Sequence, residues 1–227
     1  MARAVLGLVA SQRDKLKAGK RSPEAVFTEI RRQKRWGDGD SVSGTGSDLQ
    51  QTSVIRNELP ALCRRLSIDS MLDIPCGDFY WMRQVDLSGI DYRGADIVPD
   101  LIDENRQYEN ANVHFSNLNL IRDPLPKVDL IFCRDCLVHL SFADAISALN
   151  NIVVSGATYL LTTTFTGRDK NKNIVTGDWR TLNLERSPFS LPTPLVTINE
   201  GCTEDGGIHA DKSLGLWKVE DIKRALQ

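Results

Sequence analysis

The segment Ser70-Met-Leu-Asp-Ile-Pro-Cys-Gly-Asp-Phe79 constrains this chain more than any other. It reads as a short buried strand that ends in an acid and runs into a tight turn. Asp96 follows Gly77 by nineteen residues and closes a second strand of the same kind, Gly94-Ala-Asp-Ile97. In a parallel α/β sheet, a glycine in the first turn lets the backbone approach a ligand closely, and an acid ending the next strand can accept both hydroxyl protons of a ribose. An ordinary βαβ turn without a ligand satisfies the spacing as well, because Pro75 and Phe79 stand where a nucleotide turn usually has its first and third glycines.

The pattern around this segment alternates. Strands are expected at Ser70–Ile74, Tyr92–Ile97, Val113–Asn117, Val128–Cys133 and Ala157–Phe165, the fourth apolar but for Asp129 and so buried on both faces. Helices are expected at Phe79–Val85, Leu101–Tyr108 and Phe142–Val153. Alternation of this kind predicts an α/β fold with a doubly wound, mostly parallel sheet and helices on both faces. Thr166–Pro194 is polar, punctuated by proline and offers no helix; Leu195–Asn199 and Ser213–Trp217 then form an antiparallel pair at one sheet edge.

Ahead of the alternating part, Ser22-Pro-Glu-Ala starts a helix, with Ser22 as cap and Pro23 in the first turn, running to about Arg35. Trp36–Ser47 is too rich in Gly and Ser to hold a regular element. A further helix is expected from about Asp48, carrying Val54, Ile55, Leu59, Leu62 and Leu66 on one face and kinked or broken at Pro60. The division is therefore residues 1–47, a basic helical extension with a Gly/Ser-rich lid, and residues 48–227, the sheet domain.

Composition excludes some classes. No apolar run reaches the roughly 20 residues of a membrane span, and Ala4–Ala10 is too short and too soon followed by charge for a secretory signal. Five cysteines without regular spacing argue for a reducing, cytoplasmic setting. Residues 1–35 hold ten Lys/Arg against three Asp/Glu; the remainder holds 18 against 27. The basic arm suits an anionic partner or a solvated helix, but the rest of the chain lacks the positive charge of a nucleic-acid track.

The order of elements and five phrases within them resemble class I S-adenosylmethionine-dependent methyltransferases. Leu72-Asp-Ile-Pro-Cys-Gly-Asp78 is similar to the first motif, Gly94-Ala-Asp-Ile97 to the second and Phe115-Ser-Asn-Leu-Asn119 to the third. Asp129–Ser141 and Tyr159–Phe165 resemble the fourth and fifth strands with their loops, and the final strand pair resembles the reversed C-terminal hairpin of a seven-stranded sheet. The resemblance covers about residues 45–220. It implies S-adenosyl-L-methionine as cofactor, with Asp73 and Gly77 along its methionine and ribose, Asp96 on the ribose hydroxyls, Ile97 against the adenine and Asn119 near the adenine amine. In this fold the segment from Trp36 through Gly44 to Ser47 would close over the methionine carboxylate or serve as a flexible linker, with Arg56 as a bidentate clamp or a plain surface charge.

Cys133-Arg-Asp-Cys-Leu-Val-His139 lies where ligands meet open α/β sheets. Zinc lacks a second cysteine pair here, and no metal is expected. Asp135 and His139, four apart, share one face of a helix starting there, and either can serve as general base. His139 as a structural histidine, and Arg134 with Asp135 as an ion pair, are the alternatives; Arg134 otherwise joins the cofactor contacts. In the insertion after strand five, Trp179, Arg180 and Asn183 combine a flat surface with hydrogen-bonding groups, as a packed loop or as a pocket for a sugar or other polyhydroxylated acceptor. The expected activity is O-methylation of a small molecule by a chain with no membrane segment, free to form a homodimer. The competing classes are a nicotinamide-dependent oxidoreductase on a Rossmann-type sheet, which would want the glycines that Pro75 and Phe79 replace, and a non-catalytic methyltransferase-like binding module.

Overall fold

The computed structural model describes residues 21–37 and 39–227; residues 1–20 of the basic arm lie outside them. Seven strands form: β1 (Ser70–Asp73), β2 (Asp91–Asp96), β3 (Val113–Asn117), β4 (Leu130–Cys133), β5 (Tyr159–Phe165), β6 (Val196–Asn199) and β7 (Lys212–Lys218). They make one sheet in the order β3-β2-β1-β4-β5-β7-β6. The first five are parallel, and β7 runs antiparallel to both β5 and β6. The all-apolar β4 lies at the centre, buried at each position. Its side chains alternate as the strand period requires: Ile131 and Cys133 enter one core, Leu130 and Phe132 the other.

The helices among the described residues are α1 (Pro23–Arg32), α2 (Ser53–Leu66), α3 (Pro99–Asn105), α4 (Phe142–Ser155) and α5 (Val219–Ala225). Ala145, Ala148, Leu149 and Ile152 of α4, with Ile222 of α5, cover the first core. Ile55, Leu59, Leu62 and Cys63 of α2, with Ile102 of α3, cover the second. Helices therefore lie on both faces, as the alternation predicts. α4 begins at Ser141, whose hydroxyl caps the Asp144 amide, and ends at Gly156 in a left-handed conformation.

Three local expectations are corrected. Phe79–Val85 is not a helix: Phe79 sits at φ +57°, outside helical space, and only a 3-10 turn forms at Met82–Gln84. Phe79 instead packs among Tyr92, Tyr108 and Phe115, with ring centroids 5.1–5.7 Å apart. Pro60 does not break α2, which runs through it. An interior proline costs about 3 kcal/mol, and burial of Ile55, Leu59 and Leu62 on the same helix offsets that. Finally, α2 begins at Ser53 rather than Asp48, because the Asp48 side chain and carbonyl accept from Gln51 and Thr52 in a separate turn.

The helix starting at Ser22 forms, with the Ser22 hydroxyl accepting from the Ala25 amide. It is not a free arm. Val26 and Ile30 are buried, and Arg31 pairs with Asp100 at 3.0 Å and Glu104 at 2.6 Å on α3. On its other side α1 rests on Gly177, which has φ +98° and where any Cβ would collide with Val26 Cγ1. The extension is thereby fastened across the carboxyl ends of the strands.

Candidate active site

At those strand ends a single cleft encloses about 1130 Å³, its open mouth included. Its floor is the turn after β1. Gly77, at φ +56°, donates its amide to Asp96 Oδ2 at 3.1 Å, and Val98 donates to Asp96 Oδ1 at 2.9 Å. Each carboxylate oxygen keeps a lone pair beyond these bonds. Burial pushes the Asp96 carboxyl up to about 6 against the backbone donors Val98, Gly77 and Ile97. Asp73 is more deeply placed: it accepts from the Tyr92 hydroxyl at 2.6 Å, and burial pushes it up to about 8. The turn is built without the usual glycines, on a cis Ile74–Pro75 bond.

The roof is formed by Trp36 and the stretch from Gly39 to Ser47. Asp78 holds it from below, accepting from the Ser41 hydroxyl at 3.0 Å and the Val42 amide at 2.9 Å. A Cβ on Gly77 would strike Ser43 Oγ and push that hydroxyl aside, and the φ of +56° favours glycine here. On the far side Arg134 donates to the Gly46 carbonyl at 2.8 Å, and Thr45 donates to Glu204 at 2.7 Å. Trp36 lines the cleft, as do Phe27 and Arg31 of α1.

The third wall follows β4. Arg134 is buried and pairs with Glu200 Oε2 at 2.8 Å. Asp135, at φ +51°, accepts from Lys212 Nζ at 2.7 Å and lies 3.4 Å from Arg134. Burial acts to raise the Asp135 carboxyl, but the two cations win and hold it well below the usual carboxylate range. It is a fixed anion with little basicity. His139 differs. Its Nδ1 lies 3.0 Å from the Asp178 carbonyl, which can only accept, so Nδ1 carries the proton and Nε2 is left with a lone pair. Burial lowers the imidazole below its ordinary value, against the Asp178 bond and the Asp135 charge. Trp36 packs on the ring with centroids 5.0 Å apart.

Of the residues singled out from sequence, Trp36, Asp73, Gly77, Asp96, Ile97, Asn119, Arg134, Asp135 and His139 all line this cleft. Asp135 and His139 meet there without the expected helix: only a 3-10 turn, Leu137–His139, forms between left-handed Asp135 and α4. Asn119 accepts from the Ile121 amide at 2.9 Å, which occupies part of its acceptor capacity. Gly44 lies outside the lining and supports Trp36 from behind, where a Cβ would sit 3.2 Å from the Trp36 Cβ.

Besides Gly44, four candidates do not reach the cleft: Arg56, Trp179, Arg180 and Asn183. Arg56 donates to the Leu49 carbonyl at 2.9 Å and is no clamp in this geometry. Arg180 is buried and spends its guanidinium on the carbonyls of Leu137 (2.7 Å), Leu140 (2.9 Å) and Lys172 (3.2 Å). Burial brings it down to about 10. Asn183 donates to the Arg168 carbonyl at 2.8 Å and accepts from the Glu185 amide at 3.0 Å. Arg180 and Asn183 therefore hold the insertion together, and Trp179, 48% exposed, is the one of the three open to solvent.

Sequence reasoning missed Phe27, Arg31, Asp78 and the Glu200–Lys212 pair. Phe27 and Arg31 belong to a helix read as a basic extension; the signal was Phe27 itself, the one aromatic in a charged stretch. Lys212 and Glu200 are charges beside strands, buried only because β7 is an inner strand of the sheet.

No family model matches the chain, and no curated protein matches it. Solved structures do. The N-methyltransferase NodS from Bradyrhizobium japonicum, in complex with S-adenosyl-L-homocysteine, aligns at a TM-score of 0.59 and 15% identity over 85% of this chain and 97% of that one. The methyltransferase domain of bacterial CtHen1 aligns at 0.56 and 9% identity over 75% and 100%. Human N-acetylserotonin methyltransferase, in complex with SAM, aligns at 0.54 and 15% over 91% and 64%, so this chain spans under two thirds of that one. With the strand order and the reversed β7, these define the class: the chain has the class I S-adenosylmethionine-dependent methyltransferase fold. At such identities the likeness is one of fold. No helix among the described residues is long and apolar enough to cross a membrane.

Proposed function

We propose that the chain is an S-adenosylmethionine-dependent methyltransferase that methylates a hydroxyl oxygen of a small molecule. The observation that carries this reading is Asp96: a buried carboxylate at the end of β2, braced by the Gly77 and Val98 amides, on the floor of a roofed cleft that also holds an imidazole with a free Nε2. The donor set suits the cofactor. Asp96 offers lone pairs to a ribose diol, and Ile97, Leu118 and Ile121 give an adenine apolar walls.

When bound, S-adenosylmethionine supplies an electrophilic methyl group on a sulfonium. The protein's part is positioning, water exclusion and proton removal. The roof excludes water, the Gly77 turn fixes the floor, and His139 Nε2 takes the acceptor's proton. Asp135 keeps its negative charge throughout, its field at His139 opposed by those of Lys212 and Arg180.

Calorimetry with S-adenosylhomocysteine and, separately, NAD tests the assignment. Micromolar binding of S-adenosylhomocysteine that is lost in Asp96→Ala supports it. NAD binding alone would favour the oxidoreductase, and binding of neither would favour a non-catalytic module.

A further inference from the structure

The cleft is unevenly furnished around His139. On one side, three rings follow each other: Phe27 and Trp36 with centroids 6.2 Å apart, then Trp36 and His139 at 5.0 Å. Phe27 and Trp36 both line the cleft, with Leu140 directly after the His139 turn. The charges that line it are already engaged. Arg134 is held by Glu200, Asp135 and the Gly46 carbonyl, and Arg31 by Asp100 and Glu104. Neither cation is free for a phosphate or carboxylate on an acceptor. Asp135 is held by Lys212 and Arg134 and offers little to an ammonium. Arg180 and Asn183, the donors that a polyol would need, are consumed by backbone groups.

We infer that the acceptor is a flat, uncharged aromatic molecule with an acidic hydroxyl, a phenol or naphthol, whose ring packs on Trp36 and Phe27 and whose oxygen meets His139 Nε2. This rests on the methyltransferase reading above and narrows it. Acidity matters because the base is weak. His139 is lowered by burial below an ordinary imidazole, and a base of that strength removes a proton from a phenol, which ionises near about 10, far more readily than from an aliphatic hydroxyl, which lies close to water's value of about 15.7. The backbone fixes both the tautomer and the place of the ring: Nδ1 donates to Asp178 O, and the Gly177 amide donates to His139 O at 2.8 Å. In the step, the O–H proton passes to Nε2, the oxygen pair forms the O–C bond as the C–S bond breaks, and that bond's electrons remain on sulfur as a neutral thioether. The proton on Nε2 then leaves to water.

The test uses the full chain and begins with calorimetry, so that failure of the cofactor reading is seen separately: no binding of S-adenosylhomocysteine removes the methyltransferase assignment and this inference with it. With that ligand saturating, 2-naphthol titrated into the protein should bind, and Trp36→Ala should weaken it by at least about tenfold. With S-adenosylmethionine, 2-naphthol and 4-nitrophenol should be O-methylated in preference to cyclohexanol, methyl glucoside and benzylamine. His139→Ala should lower turnover of 2-naphthol by about 10²–10⁴-fold, but that of 4-nitrophenol, largely ionised in mildly alkaline buffer, by about tenfold or less. Equal losses on the two phenols would overturn the role of His139 and with it the acidic-hydroxyl requirement. Preference for the glucoside, the alcohol or the amine, or no binding of any phenol while S-adenosylhomocysteine binds, would overturn the acceptor class and leave the cofactor reading standing.

Discussion

Gly77 and Asp96 are joined directly, the amide of the first turn donating to the carboxylate that ends the next strand at 3.1 Å. The acid proposed to hold the ribose is thus also a brace for the turn beside it. On that reading, replacing it removes the diol's acceptor and loosens the floor together. Asp96→Ala should weaken S-adenosylhomocysteine by about two to four orders of magnitude, since two hydrogen bonds to a charged group are lost at about 1.5–3 kcal/mol each. Calorimetry at constant pH checks this, and a loss below tenfold would place the ribose elsewhere.

Burial favours neutral His139, so as a base it is competent at neutral pH and fails only in acid. The rate at saturating substrates should be flat above about pH 6.5 and should fall below it as Nε2 takes a proton. His139→Ala should abolish that acid limb along with most of the rate. A limb that persists in the variant would belong to another group, and Asp96, at about 6, lines the same cleft and titrates in that range.

The sheet was legible in the sequence because its signals are local and redundant. Val113–Asn117 matches the expected strand, and the all-apolar stretch ending at Cys133 announced a strand covered on both faces. Asp73, Gly77 and Asp96 followed from their position at strand ends, which topology alone brings together. What sequence did not disclose depends on contacts distant along the chain. Arg180 has the composition of a ligand-binding residue, yet carbonyls about 40 residues away claim its donors. Phe79 belongs to a run that passes for a helix, yet an aromatic cluster drawn from β2 and β3 holds it left-handed. Neither partner set can be read from the neighbouring residues.

Asp73 makes the ligand-free protein sensitive to alkali. Its carboxyl is raised from 3.8 to about 8 in the folded state by burial, so the folded chain holds a proton there that the unfolded chain has lost. The associated stability is full below about pH 3.9, the unfolded value, and is lost as pH rises through 8. Asp96 contributes in the same sense but is spent by about 6, leaving Asp73 to govern the range above. The urea midpoint of the wild type should therefore fall between pH 6 and 9, while that of Asp73→Asn, whose amide oxygen still accepts from Tyr92, should stay nearly level. Parallel curves for the two proteins would show that the carboxyl is ionised throughout.

Gly177 tests whether α1 is part of the site or merely near it. Alanine there meets both φ +98° and Val26, a combination that costs about 1–3 kcal/mol. Because the strain falls on the contact with α1, the helix should lift before the sheet unfolds. Hydrogen exchange in Pro23–Arg32 should quicken in Gly177→Ala while β4 and β5 stay protected, and Trp36 fluorescence should move toward that of an exposed indole. Uniform loss of protection would mean that α1 and the sheet unfold as one unit.

Lys212 joins Asp135 to Glu200, at 2.7 and 3.6 Å, beneath the end of β4. Arg134 is the other cation of this group, and Glu200 Oε1 already lacks a hydrogen-bond partner there. Removing one charge leaves carboxylates that a single arginine must balance in a poorly solvated place. Lys212→Met should destabilise the chain by about 3–5 kcal/mol, read from denaturant unfolding at neutral pH. The double variant Lys212→Met with Glu200→Gln restores the balance of charge, so it should recover much of the loss. A double variant less stable than the single would show that Glu200 contributes through its bond to Arg134, at 2.8 Å, more than it costs through its charge.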